Sequence, residues 1–559
     1  VPVNGERRRV VVVGASAAGL RCACRLARLR PSWEVTVLER RDTFSWAACG
    51  LPYVLSGDID EADALRRTQD GALRDEAYFA AVKGVTVLAG HEVFAVDPAT
   101  RVARVRAGNQ EIEFGWDDLV LGTGARARKL PGQGEHERVC SFHTPEDLAR
   151  LHRGLTRREI NRVVLVGGGL VGCELAEAFR GLWGCEVTLL EAAGHVLPGV
   201  LDVEMAAVAG GALERHGVRL RAGLQVDAID TSEAGIGVRI GDDRVEGDVA
   251  VVAVGVDPAV GLARRAGARI GATGAIAVDE RLATSLPHVW AVGDCVEVRH
   301  AVTGEGAFLP LGSLANRQGR CLANLLAGRA DRFPPVAGAV AVKVFDCNVA
   351  AVGLTRDHAE RRGLAARSAW VVGYDSAHYW PEAREIVLHL VYESGSGRLL
   401  GMQAVGPGEV AKRVDVVTQL LVRGGSLDDL AHVEHAYAPP YAPALDPLAV
   451  LAFVAQNQED GIVGQPPSSG LAGMRVLDVR HPEESEARPA GGEDLVFAPL
   501  ERLREATLAA GEEGPFLVVC ERGTRSAEAV RWLRGRGIDA SYLGGGLRLR
   551  SRLSSEDGA

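Results

Sequence analysis

Two cysteines stand in surroundings suited to sulfur chemistry. Cys49 lies in Ser45-Trp46-Ala47-Ala48-Cys49-Gly50-Leu51-Pro52-Tyr53, a Gly/Pro-flanked stretch at a predicted helix start. A helix dipole there favours thiolate, the reactive form of cysteine. No second cysteine lies four or five residues away to serve as a nearby disulfide partner. Cys520 opens Cys520-Glu521-Arg522-Gly523-Thr524-Arg525-Ser526 after an apolar strand. A loop of that form turns successive backbone N–H groups toward an anion at the sulfur. Arg522 and Arg525 then add positive charge, favouring thiolate and an anionic sulfur donor. Taken alone, these residues leave open the plainer reading of cysteine as a buried apolar side chain.

The elements around them include one unit used twice. The first runs Arg9-Val10-Val11-Val12-Val13, Gly14-Ala15-Ser16-Ala17-Ala18-Gly19, a helix to about Leu29, and the strand Glu34–Leu38 ending in Glu39. The second runs Arg162-Val163-Val164-Leu165-Val166, Gly167-Gly168-Gly169-Leu170-Val171-Gly172, a helix to about Trp183, and the strand Glu186–Leu190 ending in Glu191. Small residues let such a turn approach a pyrophosphate, which the helix N-terminus binds, while the strand-end carboxylate accepts hydrogen bonds from a ribose diol. Ser16 stands where the middle glycine usually does, so the first fingerprint is imperfect. A doubly wound fold with tight turns and no cofactor is the plainer alternative. Further apolar strands end at Gly122-Thr123-Gly124-Ala125, at Gly255 and at Gly293-Asp294. From about 335 to 450, alternating strands and one helix predict an α+β domain. Residues 456–470, polar and rich in Pro, Gly and Ser, predict a linker before a last small α/β unit.

Composition bounds the rest. A chain of 559 residues, 47% hydrophobic and 24% charged, suits three or four folded domains. Its net charge of -10 argues against a generally basic nucleic-acid binder. No apolar run approaches the roughly 18 residues of a membrane span, so no membrane partner is expected. Ten cysteines without C-x-x-C spacing argue against a disulfide framework and make the cytoplasm the expected location. No His/Cys/Asp spacing suggests a metal site.

Taken together, these residues resemble the flavin- and pyridine-nucleotide-dependent disulfide reductase superfamily. Within it the chain is most similar to single-cysteine coenzyme A-disulfide reductases and NAD(P)H-dependent persulfide (polysulfide) reductases fused to a C-terminal rhodanese domain. The nonapeptide around Cys49, Gly293-Asp294, the segment Pro310 to Arg320, Lys343-Val344-Phe345-Asp346 and Tyr437-Ala438-Pro439-Pro440-Tyr441 carry the resemblance. It implies an α/β protein with two Rossmann-like dinucleotide-binding domains, for FAD (8–150 and 275–330) and NAD(H) (151–274). An α+β dimerisation domain (335–450), the linker (456–470) and an α/β rhodanese domain (471–550) follow.

The resemblance also implies roles. The first fingerprint, with Gly14, Ser16, Ala17, Gly19 and Glu39, would hold FAD, with Thr123, Gly124, Ala125 and Asp294 close to the flavin cofactor. Gly167, Gly169, Gly172 and Glu191 would hold the nicotinamide cofactor. Arg40, Ser45, Gly255, Gly293 and Asn316 complete the cofactor-binding set. Glu191 is followed by Ala192-Ala193-Gly194, with no arginine for a 2′-phosphate, which predicts NADH, with NADPH as the alternative. Cys49 would form a mixed disulfide or persulfide. Tyr379 and Tyr437 or Tyr441, brought by the partner of a homodimer, would hydrogen-bond a developing thiolate. Arg28, Ser45 and Ala48 would bind substrate, with coenzyme A as substrate or bound thiol. Ala48 replaces the family's usual asparagine and Trp46 its phenylalanine, which predicts a persulfide or polysulfide over coenzyme A disulfide. Cys520 and Arg525 would transfer sulfane sulfur, and Asp478 and Arg480 match a structural pair. The usual Gly-His-Ile-Pro-Gly-Ala segment is absent, and Gly544-Gly545-Gly546 lacks the common following tryptophan. The alternatives are an NADH oxidase reducing oxygen and a sulfur-carrier or redox-sensing protein with a protein sulfur acceptor.

Overall fold

The apolar runs at the two fingerprints have no polar face to turn to water, and both lie inside parallel sheets. The structure, a computed structural model, describes residues 7–131, 133–134, 136–233, 235–471, 474–492, 494–505 and 515–553. The chain divides into two compact units, Val1–Leu190 with Val226–Gly338, and Glu191–Gln225 with Ala339–Ala559.

In the first unit a five-stranded parallel sheet runs in the order Val289–Ala291, Asp118–Leu121, Arg9–Val13, Glu34–Leu38, Thr86–Leu88. A second parallel set joins Val139–Ser141, Val249–Val252, Arg162–Val166 and Glu186–Glu191. Pairing of Val139–Ser141 with Val249–Val252 puts the change of domain before Val139 rather than at the expected 150/151. The helix Ala17–Leu29 buries Leu20, Ala23 and Leu26 and packs along the helix Gly312–Leu326.

In the second unit a five-stranded antiparallel sheet runs Val340–Val344, Cys347–Gly353, Leu399–Gly406, Glu385–Glu393, Ala366–Tyr374. The helices Ala411–Leu421 and Pro447–Glu459 pack against it. A buried ion pair, Arg413 to Asp446 at 2.8 Å, fixes their starts. Such a pair specifies one arrangement more than it adds net stability. The terminal sheet is parallel, in the order Gly464–Gln465, Ala540–Leu543, Phe516–Val519, Arg475–Asp478, Asp494–Phe497.

The expected linker at 456–470 is no free tether. Gln456 to Glu459 complete a helix, and Gly464–Gln465 form the edge strand of the terminal sheet. Ser468 donates to Glu204 at 2.6 Å, and Arg550 reaches the carbonyls of Pro467 and Ser469. The segment reads as polar because its side chains satisfy a junction: buried Gln458 accepts a hydrogen bond from the Tyr392 hydroxyl at 3.2 Å. Gly544 closes that junction, since an added Cβ would lie 2.8 Å from Trp370 of the antiparallel sheet. Among the described residues no helix is long and apolar enough to cross a membrane.

Candidate active site

The first fingerprint turn walls a cavity of about 360 Å³. Gly14 has φ +107°, and a Cβ there would stand 2.2 Å from the Gly122 carbonyl oxygen. A Cβ on Gly19 would meet the Gly14 oxygen at 2.0 Å, so backbone approach alone requires both glycines. Ser16 is different. It is the N-cap of the helix Ala17–Leu29, in extended backbone at φ -106°, and its side chain makes no cap hydrogen bond. Serine therefore suits the turn, and it lines the cavity. The second fingerprint repeats this: a Cβ on Gly172 would lie 1.9 Å from the Gly167 oxygen, whereas Gly169 meets nothing within 4 Å.

Glu39 is held in the cavity wall by backbone N–H groups of Ala15 at 2.9 Å and Arg41 at 3.1 Å. Arg40, Ser45, Ala48, Thr123, Gly124, Ala125 and Asp294 line the same cavity. Burial pushes Asp294 up to about 6. Ala17 and Gly19 lie in the first turns of the helix behind the wall, and Gly293 donates to buried Gln318 at 2.6 Å. Asn316, Gly255 and Arg28 also lie off the cavity wall. Asn316 bonds the Gly312 carbonyl of its own helix, Gly255 accepts from Arg128 N–H at 3.0 Å, and Arg28 is exposed in the last turn of Ala17–Leu29. Glu191 ends its strand with one oxygen on the Ala193 N–H at 2.7 Å.

The Cys49 segment is clamped onto the first fingerprint turn. Ser45, in left-handed backbone at φ +62°, donates its N–H to the Ala15 carbonyl at 3.0 Å, and Arg74 holds the Ser45 carbonyl at 3.0 Å. Cys49 follows in a single turn, Ala48–Gly50, ahead of the short helix Leu51–Leu55. Its sulfur faces the start of the helix Gly312–Leu326, where a Cβ on Gly312 would lie 3.7 Å away. The other side of the segment meets the second fingerprint helix, Leu170–Gly181. There Tyr53 donates to Glu174 at 3.2 Å. Burial pushes Glu174 up to about 7 against the Tyr53 hydrogen bond, with Glu177 adding to the rise. Burial, then Glu174, raises Tyr53 to about 12. The surroundings of the exposed Cys49 act against the dipole expected to favour its thiolate. Burial raises the Cys49 thiol, and the carboxylates of Glu174 and Asp294 raise it further, while the helix it precedes has only five residues. Tyr53 and Glu174 were missed as site residues, because their meeting depends on helix packing that no local motif encodes.

Cys520 is buried at the end of a central strand of the terminal sheet. Its sulfur accepts N–H groups of Gly523 at 3.2 Å and Ser526 at 3.4 Å, with the Ser526 hydroxyl at 3.3 Å. Asp478 and Arg480 form a fully buried pair at 2.9 Å beneath the loop. Arg522 and Arg525, expected to add positive charge at the sulfur, are each held by an acid: Arg525 by Glu484, and Arg522 by Glu385 with the Tyr374 hydroxyl. Tyr379, Tyr437 and Tyr441 are exposed by 64%, 52% and 71%, and the neighbouring Tyr437 raises the Tyr379 phenol.

Comparison with known proteins agrees with this geometry. Residues 8–307 match the family described as pyridine nucleotide-disulphide oxidoreductase, and residues 339–449 match its dimerisation domain. The chain belongs to the pyridine nucleotide-disulphide oxidoreductase family. A family relative from Pyrococcus horikoshii, the NAD(P)H coenzyme A polysulfide/persulfide reductase, is 33% identical over 449 residues, 80% of this chain and 98% of its own. The solved NAD-dependent persulfide reductase from A. fulgidus superposes with a TM-score of 0.93 at 37% identity, covering 97% of this chain and 99% of that one. The reduced Bacillus anthracis CoADR-RHD superposes at 0.90 with 29% identity, covering 98% of each chain, so the likeness extends through the terminal domain. The residues fit the family's FAD: the turn takes no side chain at Gly14 or Gly19, Ser16 leaves the helix N-terminus uncapped, and Glu39 keeps lone pairs for a diol.

Proposed function

We propose that this chain uses NADH and FAD to reduce a persulfide, polysulfide or coenzyme A disulfide at Cys49, and that Cys520 exchanges sulfane sulfur. When bound, FAD would supply two-electron chemistry between the nicotinamide and sulfur. The chain's own residues do the rest. The first fingerprint, Glu39 and Asp294 would hold FAD, and Glu191 would accept from the ribose diol of the nicotinamide cofactor, which would disfavour a 2′-phosphate. The Cys49 thiolate attacks a substrate sulfur, the substrate S–S bond breaks, and the leaving thiolate takes a proton. Glu174, pushed up to about 7, holds or releases a proton near neutral pH at this end of the site. Tyr379 and Tyr437, offered from the partner of a dimer, would hydrogen-bond the sulfur anion. For a persulfide, RSSH and NADH give RSH, HS⁻ and NAD⁺.

The observation that carries this reading is the position of the Cys49 segment. It bonds the first fingerprint turn through Ser45 and Ala15, and the second fingerprint helix through Tyr53 and Glu174. A lone thiol between two nucleotide-type turns suits electron delivery to a single sulfur. The test is anaerobic NADH oxidation with coenzyme A persulfide, its disulfide or polysulfide. Cys49→Ser should lose turnover by about 10³-fold or more with flavin still bound. Retained turnover would refute the role of Cys49, and NADH-driven oxygen uptake as fast as sulfur reduction would favour the oxidase alternative.

A further inference from the structure

The pocket over Cys520, about 440 Å³, is lined by the guanidinium groups of Arg522, Arg525 and Arg548. Each is already paired with a carboxylate. Glu484 takes Arg525 through both oxygens, at 2.6 and 2.7 Å, and this pairing is the main cause holding the Glu484 carboxyl at about 2. Glu385, buried at the start of the strand Glu385–Glu393, accepts from Arg548 at 2.6 Å, from Arg522 at 3.4 Å and from Arg552. Tyr374 adds a hold on Arg522, with its hydroxyl at 2.5 Å and its ring centre 4.5 Å from the guanidinium carbon. The remaining carboxylate of the pocket, Glu521, is bound to Arg480 at 3.0 Å and Arg488 at 3.1 Å.

Sulfane donors differ in what they ask of such a pocket. Thiosulfate is a dianion whose oxygens need a charged donor group to offset desolvation. A thiol persulfide has no sulfonate, and its charge sits on the sulfur being transferred, where the N–H groups of Gly523 and Ser526 already point. We propose that Glu484, seconded by Glu385, is a specificity-determining residue: by neutralising the arginines of the Cys520 pocket it makes a thiol persulfide, rather than thiosulfate, the sulfane donor. This rests on the reading of Cys520 as a sulfur-transfer cysteine. The Cys520 thiolate attacks the outer sulfur of R–S–S⁻, the donor S–S bond breaks, R–S⁻ leaves, and Cys520 carries –S–S⁻. With thiosulfate the leaving group is sulfite, and in neither case are electrons gained or lost overall.

The experiment uses the full chain, wild type and the variants Glu484→Gln and Glu385→Gln, without NADH. Each is mixed with thiosulfate or 2-hydroxyethyl persulfide, and sulfur addition to the Cys520 peptide is timed by mass spectrometry. The thiosulfate-to-persulfide rate ratio should rise about tenfold or more in Glu484→Gln, since one guanidinium then faces the dianion unneutralised. A smaller rise is expected in Glu385→Gln, and both gains should fade in about 0.5 M salt. The ratio is taken within one variant, so a loss of folded protein cancels. An unchanged ratio in both variants overturns the proposal while leaving sulfur transfer in place. Failure of both donors to label Cys520 in every chain overturns the sulfur-transfer reading, and the proposal with it.

Discussion

The Cys49 thiol is held above its ordinary value, and the charge of one neighbour can be switched by pH. Glu174 titrates near 7, so its negative charge is present above that pH and absent below it. That charge raises the Cys49 thiol, so removing it lowers the thiol's value only where Glu174 was ionised. Glu174→Gln should therefore speed iodoacetamide alkylation of Cys49 about 2–10-fold at pH 8, and leave it unchanged at pH 6, where both chains are neutral at this position. Equal rates at pH 8, followed at the Cys49 peptide, would show that the two groups do not communicate. Cys49 itself is legible from its nonapeptide, whereas Glu174 lies 121 residues from Tyr53 and meets it only when two helices pack. Charge at Cys520 misleads for the same reason. Arg525 reads as a free cation until Glu484, 41 residues earlier, folds onto it. Sequence shows which side chains can carry charge; the fold decides which of them are already neutralised.

The fingerprint glycines look alike as letters and differ as elements. At Gly172 a methyl would enter the Gly167 carbonyl, while at Gly169 it would meet open space. Gly172→Ala should cost about 1–3 kcal/mol of stability or more, whereas Gly169→Ala should stay within about 0.5 kcal/mol and instead raise the NADH KM. Melting curves beside NADH titration check this, and equal destabilisation by the two would refute it. The same contrast explains why Ser16 is no defect in the first fingerprint. The long buried strands, both fingerprints and the antiparallel sheet were legible, because their apolar runs fit one kind of sheet. The strand Val139–Ser141 was not, being three residues with no motif of its own. Nor was the edge strand Gly464–Gln465, whose polar neighbours imitate a linker. The glycines at 544–546 read only as a missing tryptophan. In the fold, a Cβ at Gly544 would lie 2.8 Å from Trp370, and one at Gly546 2.5 Å from the Glu521 carbonyl beside Cys520.

At the scale of the whole molecule, exposed Tyr379 and Tyr437 invite a test of whether sites are completed between copies. Mixing Cys49→Ser chains with Tyr379→Phe/Tyr437→Phe chains, then allowing dimers to exchange, should restore about a quarter of wild-type turnover if each site borrows its tyrosines. No recovery, with hybrid dimers demonstrated, would mean that the tyrosines act within their own chain, and full activity of the Phe chains alone that they do not act at all. The dimerisation domain is shared with the family, but the terminal domain adds a constraint of its own. Its edge strand continues almost directly from the helix Pro447–Glu459, its last turn rests on Trp370, and Glu385 collects three of its arginines. A domain fastened in this way has no leash. Sulfur that Cys520 would carry in the proposed exchange would be held at a fixed address on the antiparallel sheet rather than on a swinging arm.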